Sequence, residues 1–228
     1  QFYDYFFGPN GSFYGTRKAC ENLHIQYSYD DNSIRVVNSN YKDFTGLKAT
    51  AKLYNMQMEE ILKQEIPVDI KSDESKKIIF PVWPANAGDV FFLKLVLSDN
   101  SGKEVSSNFY WLSSKGDLNA DFTALNALPK AELGFSVSSV KQENGKYIAS
   151  VIVENPTGTL AFSVNPKIIK KNSKDLVLPV FWDDNYFSLL PKEKRTLKVE
   201  FKAEDLGGES PVLAIDGWNI VKAEKDLR

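Results

Sequence analysis

Polar and apolar residues alternate with a period of two over most of this chain, the pattern of strands with one face buried. Leu23, Ile25, Tyr27 and Tyr29 alternate with His24, Gln26 and Ser28. After an Asp30-Asp31-Asn32 turn, Ser33–Asn38 continues the pattern. Leu47, Ala49, Ala51 and Leu53 alternate with Lys48, Thr50 and Lys52. Further strands are read at Glu60–Ile70, Lys76–Val82 and Val90–Ser98, and at Lys103–Leu112 beyond an Asn100-Ser101-Gly102 hairpin signal. About seven short strands within roughly 90 residues predict an immunoglobulin-like sandwich. A second series follows at Ala131–Val140, Lys146–Glu154, Thr159–Lys170, Leu176–Trp182, Tyr186–Leu190, Arg195–Lys202 and Pro211–Ile215. Glu143-Asn144-Gly145 and Asn155-Pro156-Thr157-Gly158 supply its turns.

The opening residues do not follow this pattern. Gln1–Phe7 is dense in aromatics, and Gly8-Pro9-Asn10-Gly11 is a turn cluster. Ser12 is placed to cap a short helix over about Phe13–Asn22, with Cys20 read as a small core residue. Ser113–Asp117 is the most linker-like stretch. The expected organisation is a segment 1–22, a sandwich 23–115 and a second sandwich 116–228. The fold class is all-β: two consecutive immunoglobulin-like β-sandwiches preceded by a short helix. The aromatic segment reads as the edge of a missing domain, the alternative being a helix packed on the first sandwich.

Composition narrows the chemistry. The 228 residues carry 28 Lys+Arg against 30 Asp+Glu, with one Cys and one His. That balance argues against a nucleic-acid partner. One Cys allows no internal disulfide, and one His leaves no basis for a histidine triad or multi-histidine metal site. No apolar run approaches the ~20 residues of a membrane helix. The chain opens on Gln1 rather than Met, which suggests processing or a cut from something longer.

No catalytic residue, metal site or cofactor is therefore expected. Asp30-Asp31, Glu59-Glu60 and Asp183-Asp184 are adjacent pairs, and neighbours on a strand point to opposite faces, so turn and surface roles are expected. His24 reads as an outward, hydrogen-bonded strand residue. Asn10-Gly11-Ser12 fits a glycosylation acceptor. Oligosaccharide contact is the remaining chemistry, because sugars stack on Trp and Tyr rings. Trp83, Trp111, Trp182 and Trp218 are the rings considered. Trp182 with Asp184, Asn185 and Tyr186, together with Trp218, is the candidate set. Core filling is the competing role for the tryptophans, and a corner role for Tyr186, its hydroxyl bonding backbone across a bend.

Phe181 through Glu193, with Ala161-Phe162 and Gly217-Trp218-Asn219, resembles the last immunoglobulin-like domain of glycoside hydrolase family 2, in its β-mannosidase and exo-β-glucosaminidase branch. Tyr3-Asp4-Tyr5, Phe13-Tyr14-Gly15, Lys18-Ala19-Cys20-Glu21 and His24-Ile25-Gln26-Tyr27 resemble the exit of that family's catalytic barrel. The resemblance implies that residues 1–22 are a remnant of a (β/α)₈ barrel, whose catalytic glutamates lie outside this chain. It makes Tyr3, Asp4 and Tyr5 barrel-rim candidates. It implies accessory sandwiches supporting the barrel of the same parent chain, and a bacterial periplasmic or extracellular location. A free-standing carbohydrate-binding or adhesion module is the alternative.

Overall fold

Alternating apolar residues turn inward along strand after strand, and the computed structural model closes them into four sheets. It describes residues 1–79 and 84–227. Trp83, and the last residues of the strand read at Lys76–Val82, lie outside the described residues. The chain divides into two compact units: Thr16–Ala127, and Gln1–Gly15 with Leu128–Arg228.

Among its described residues the first unit holds seven strands: β1 (Leu23–Ser28), β2 (Ser33–Asn38), β3 (Phe44–Tyr54), β4 (Glu60–Ile70), β5 (Glu74–Ile79), β6 (Val90–Ser98) and β7 (Glu104–Ser113). One sheet runs β1-β2-β5 and the other β4-β3-β6-β7. The β1–β2 hairpin pairs Leu23 with Asn38 through to Ser28 with Ser33. Pro67 cannot donate to a ladder on both sides, and β4 accordingly sits at a sheet edge. Ile25, Ile34, Val36, Leu53, Phe91 and Leu95 lie in one buried cluster. Each such side chain contributes about 1.5–3 kcal/mol by burial.

Strand β1 departs from strict alternation, because His24 is buried as well as its neighbours. Its Nδ1 meets the Glu21 carbonyl oxygen at 2.6 Å and its Nε2 meets Gln26 Oε1 at 2.9 Å. The outward placement is thus corrected, while the hydrogen-bonded character stands.

The second unit holds eight strands: β8 (Gly134–Glu143), β9 (Lys146–Glu154), β10 (Ala161–Lys170), β11 (Val180–Trp182), β12 (Phe187–Leu189), β13 (Lys194–Lys202), β14 (Pro211–Asp216) and β15 (Ala223–Asp226). They form the sheets β11-β13-β9-β8 and β12-β10-β14-β15. Asn144 and Gly145, both at positive φ, make the two-residue turn between β8 and β9 that their sequence anticipates. Strand β15 has little apolar content and is not visible as periodicity; it exists by pairing with β14. Val151, Val164, Leu197, Phe201 and Leu213 are among the buried core.

The α-helix α1 spans Gly11–Ala19, starting before Ser12 and ending before Asn22. Its cap is Asn10, whose Oδ1 accepts the amides of Ser12 (3.0 Å) and Phe13 (3.3 Å). Cys20 is exposed and not a core residue, because the helix ends one residue earlier.

Candidate functional site

The candidate set of sugar contacts and the rim positions fall in the second unit, so their mutual geometry can be read directly, whereas Trp111 lies in β7 of the first. Trp182 ends the short strand β11 opposite Val199 and is only 6% exposed, within the core cluster. Its ring has no open face for a sugar, which removes it from the candidate set. Asp184 forms an ion pair with Arg195, and the guanidinium carbon lies 4.7 Å from the centre of the Phe187 ring. That carboxylate steadies an arginine over an aromatic face rather than facing a ligand.

Asn185 is buried for a specific reason. Strand β12 is only three residues long. Beyond it, β10 has no strand partner on that side for the Pro166 carbonyl. Asn185 Nδ2 supplies that bond at 3.0 Å, and its Oδ1 accepts the Tyr186 amide at 2.7 Å. An unpaired buried carbonyl costs about 1–3 kcal/mol, so this side chain is committed to the backbone.

Tyr186 follows with φ of 54°, and its ring meets Tyr14 of helix α1 at 6.1 Å between centres. Its phenol is raised above the ordinary value, by burial first and then by the negative charges of Asp216 and Asp4. The Asn165 side chain opposes that rise. Tyr186 is therefore where the opening segment meets the second sandwich. The alternative of a helix packed on the first sandwich holds for its last turn only: Thr16–Ala19 belongs to the first unit, where Lys18 Nζ donates to the Ser107 carbonyl at 3.1 Å, and Gln1–Gly15 to the second.

That segment is itself a built structure. Asp4 Oδ1 accepts the amides of Phe6 (2.9 Å) and Gly8 (2.8 Å), and the Phe7 amide bonds the Asp4 carbonyl. Tyr3 bridges to Pro9, and Asn10 Nδ2 donates to the Gln1 carbonyl at 2.9 Å. Asn10 thus spends both ends of its amide inside the protein, which accounts for Asn10-Gly11-Ser12 without a glycan. The turn holds Tyr5, Phe6 and Phe7 outward, Tyr5 at 88% exposure. Tyr3 stays half-exposed beside Phe13, 5.7 Å between ring centres.

Trp218 is 53% exposed and held from below. Its amide donates to the Phe162 carbonyl at 3.1 Å, and its ring stands edge-to-face on Phe162. Gly217 passes so close to β10 that a Cβ there would lie 2.7 Å from the Ser163 oxygen. Asn219, 2% exposed, donates from Nδ2 to the carbonyls of Leu160 (2.6 Å) and Pro129 (2.7 Å) and accepts the Phe162 amide at 2.9 Å. Sequence reasoning passed over the structural work of Asn219. The only signal was an Asn beside Gly and Trp after an apolar strand.

The carboxylates read as turn residues behave so. Asp183 Oδ1 accepts the Lys198 amide at 2.9 Å, and Asp31 bonds the Ser33 amide, Arg35 and Lys77. Among the described residues, no three His, Cys, Asp or Glu side chains converge on a metal position. Among the described residues, no helix is long and apolar enough to cross a membrane.

Residues 108–220 match the family described as the exo-β-D-glucosaminidase Ig-fold domain. An exo-β-D-glucosaminidase of Amycolatopsis orientalis is 38% identical over 96% of this chain and 23% of its own length. A mannosylglycoprotein endo-β-mannosidase of Lilium longiflorum is 25% identical over 96% of this chain and 29% of its own length. The crystal structure of Amycolatopsis orientalis exo-chitosanase superposes with a TM-score of 0.90 at 33% identity, over 99% of this chain and 29% of that chain. The chain thus spans about a quarter of the relatives it matches. With two sandwiches built as read from sequence, the chain belongs to the immunoglobulin-like accessory domains of glycoside hydrolase family 2, in the exo-β-glucosaminidase branch.

Proposed function

We propose that these sandwiches are the accessory part of a longer exo-acting β-glycosidase that removes glucosamine units. In this reading they dock on the catalytic barrel of the same polypeptide through the aromatic turn Gln1–Phe7. The exposed Tyr5, Phe6 and Phe7, held rigid by the Asp4 bonds, are the observation that carries it. Exposed aromatics of this size mark interaction surfaces, and preorganisation lowers the entropy cost of docking. The chain's span of only a quarter of its relatives supports a partner within the same polypeptide.

The test is hydrolysis of p-nitrophenyl β-D-glucosaminide by the 228-residue chain and by the longer polypeptide containing it. Only the longer polypeptide should release nitrophenolate. Replacing Tyr5, Phe6 and Phe7 together by Ser should lower its melting temperature and leave that of the isolated chain unchanged. Release by the isolated chain overturns the proposal. The half-exposed Trp218 favours a second reading, a sugar-binding module. It requires binding of neutral oligosaccharides that Trp218→Ala abolishes while the fold persists.

A further inference from the structure

The chain has two Asn-Gly steps, Asn10-Gly11 and Asn144-Gly145, and the fold treats them in opposite ways. At such a step a polypeptide can react with itself. The backbone nitrogen after the asparagine attacks the side-chain amide carbon, and glycine, having no Cβ, leaves the approach open. Two groups decide whether this happens in a folded chain: the asparagine amide must be able to turn, and the following N–H must be unengaged. Asn10 fails on the first count. Its Oδ1 accepts the amides of Ser12 and Phe13, and its Nδ2 donates to the Gln1 carbonyl at 2.9 Å. The backbone of Gly11 also lies against Tyr186, so that a Cβ there would be 3.7 Å from the ring.

Asn144 meets both conditions. It is exposed in the two-residue turn between β8 and β9, and among the described residues no hydrogen bond holds its side chain or the Gly145 N–H. A Cβ placed on Gly145 would meet nothing within 4 Å. The four Asn-Ser steps, the next most open sequences, fail on the second count. The amides of Ser33, Ser39, Ser101 and Ser173 donate to Asp31 at 3.1 Å, the Asn22 carbonyl at 2.7 Å, Asp99 at 2.9 Å and Glu209 at 3.1 Å. The turn at Asn144 is held only from its flanks. Glu143 pairs with Lys146, and the Gly145 carbonyl accepts the Ala203 amide at 2.8 Å.

We propose that Asn144-Gly145 is a self-modification site, where the folded chain deamidates and the isoaspartate product breaks the β8–β9 turn. The Gly145 nitrogen bonds to Asn144 Cγ as the Cγ–Nδ2 bond breaks. The Gly145 N–H proton departs with Nδ2 as ammonia, leaving a cyclic imide. Water then adds to one imide carbonyl and reopens the ring, with no oxidant or reductant needed. Addition at Cγ gives aspartate. Addition at the main-chain carbonyl gives isoaspartate, whose backbone runs through Cγ and is longer by a methylene. A two-residue turn sets strand register by its length, so the longer backbone cannot keep both the Glu143–Lys146 pair and the bond to Ala203. Aspartate can, since Asp-Gly favours the same turn.

Incubation of the purified chain in mildly alkaline buffer, sampled over time by peptide mapping with mass spectrometry, tests the site. Asn144 should be modified on the order of 30-fold faster than Asn10, whose three hydrogen bonds must open first, and faster than any Asn-Ser step. In concentrated urea the two Asn-Gly steps should react at similar rates, which shows that the fold and not the flanking sequence separates them. Asn144→Gln should remove the fast phase of ammonia release. The isoaspartate form, separated by ion exchange and identified by enzymatic methylation, should melt about 2–8 °C below the parent chain. Asn144→Asp, which has the charge without the methylene, should melt with the parent. The site is overturned if the folded chain modifies Asn10 or an Asn-Ser step as fast as Asn144. It is also overturned if the isoaspartate form melts with the parent, or if Asn144→Asp melts as low as the isoaspartate form.

Discussion

Asn219→Asp changes one atom's chemistry at a point where three backbone segments meet. The native side chain is 2% exposed, donates two hydrogen bonds to the carbonyls of Leu160 and Pro129, and accepts one from the Phe162 amide. The replacement has nearly the same shape but, ionised, donates nothing. It sets a carboxylate against two carbonyl oxygens at contacts now 2.6 and 2.7 Å long. Each buried acceptor left unmet costs about 1–3 kcal/mol, and an uncompensated charge adds to that. A loss of about 3–5 kcal/mol at pH 7 follows. The introduced carboxyl ionises near 3.9 when unfolded and well above that when folded, because its surroundings oppose the charge. Between those two values the native state binds more protons than the unfolded state, so stability falls as pH rises through that window. The deficit relative to the parent chain should therefore shrink as pH is lowered from 7 towards 4. Asn219→Ala should show a deficit of about 2–4 kcal/mol that does not vary with pH. Urea unfolding followed by circular dichroism, with each variant compared with the parent chain at the same pH, measures both. A deficit below about 1 kcal/mol at pH 7, or one that stays constant with pH, refutes the reasoning.

Asp31 sits well below the usual carboxylate range, held first by Lys77 and then by Ser33. Its contribution is present above the unfolded value and lost as pH falls through the acid range. Asp31→Asn should therefore flatten the acid limb of the stability curve, as read from melting temperature against pH. Tyr27 and Tyr110 are both pushed up to about 12, chiefly by burial. Ultraviolet titration should show two late phenols, with Tyr27→Phe and Tyr110→Phe each removing one, and stability should fall between pH 10 and 12 as the unfolded state releases its protons first. Cys20 is exposed, so one thiol should react with Ellman's reagent in the folded protein within minutes. Reaction only after denaturant would contradict the helix end described above.

Strand existence was largely legible in the sequence, because a half-buried strand writes its burial as alternation. Lys194–Lys202 and Phe44–Tyr54 fall where the pattern puts them, give or take their ends. The Asn144-Gly145 turn was equally plain, since few residues accept positive φ in succession. Strand β15 and the burial of His24 were not, because one depends on a neighbouring strand and the other on a carbonyl and an amide placed by folding.

The candidate residues divide the same way. Composition alone removed histidine and cysteine chemistry, and the Trp182–Tyr186 block carried the family likeness. Which aromatic ring meets solvent lay beyond any local pattern. Trp182 and Trp218 are the same residue type beside Asp or Asn, yet one is core and the other half-exposed. That difference comes from strand β11 pairing inside a sheet, while Asn219 ties the loop after β14 across β10. Likewise Tyr29 reads as one more inward position of β1. It becomes an open ring only because the turn at Asp31–Asn32 begins there and Tyr110 arrives from 81 residues later in the chain. Periodicity is a property of neighbours along the chain, so it determined the strands. Exposure and ring stacking are sums over distant segments, and only the packed sandwiches decided them.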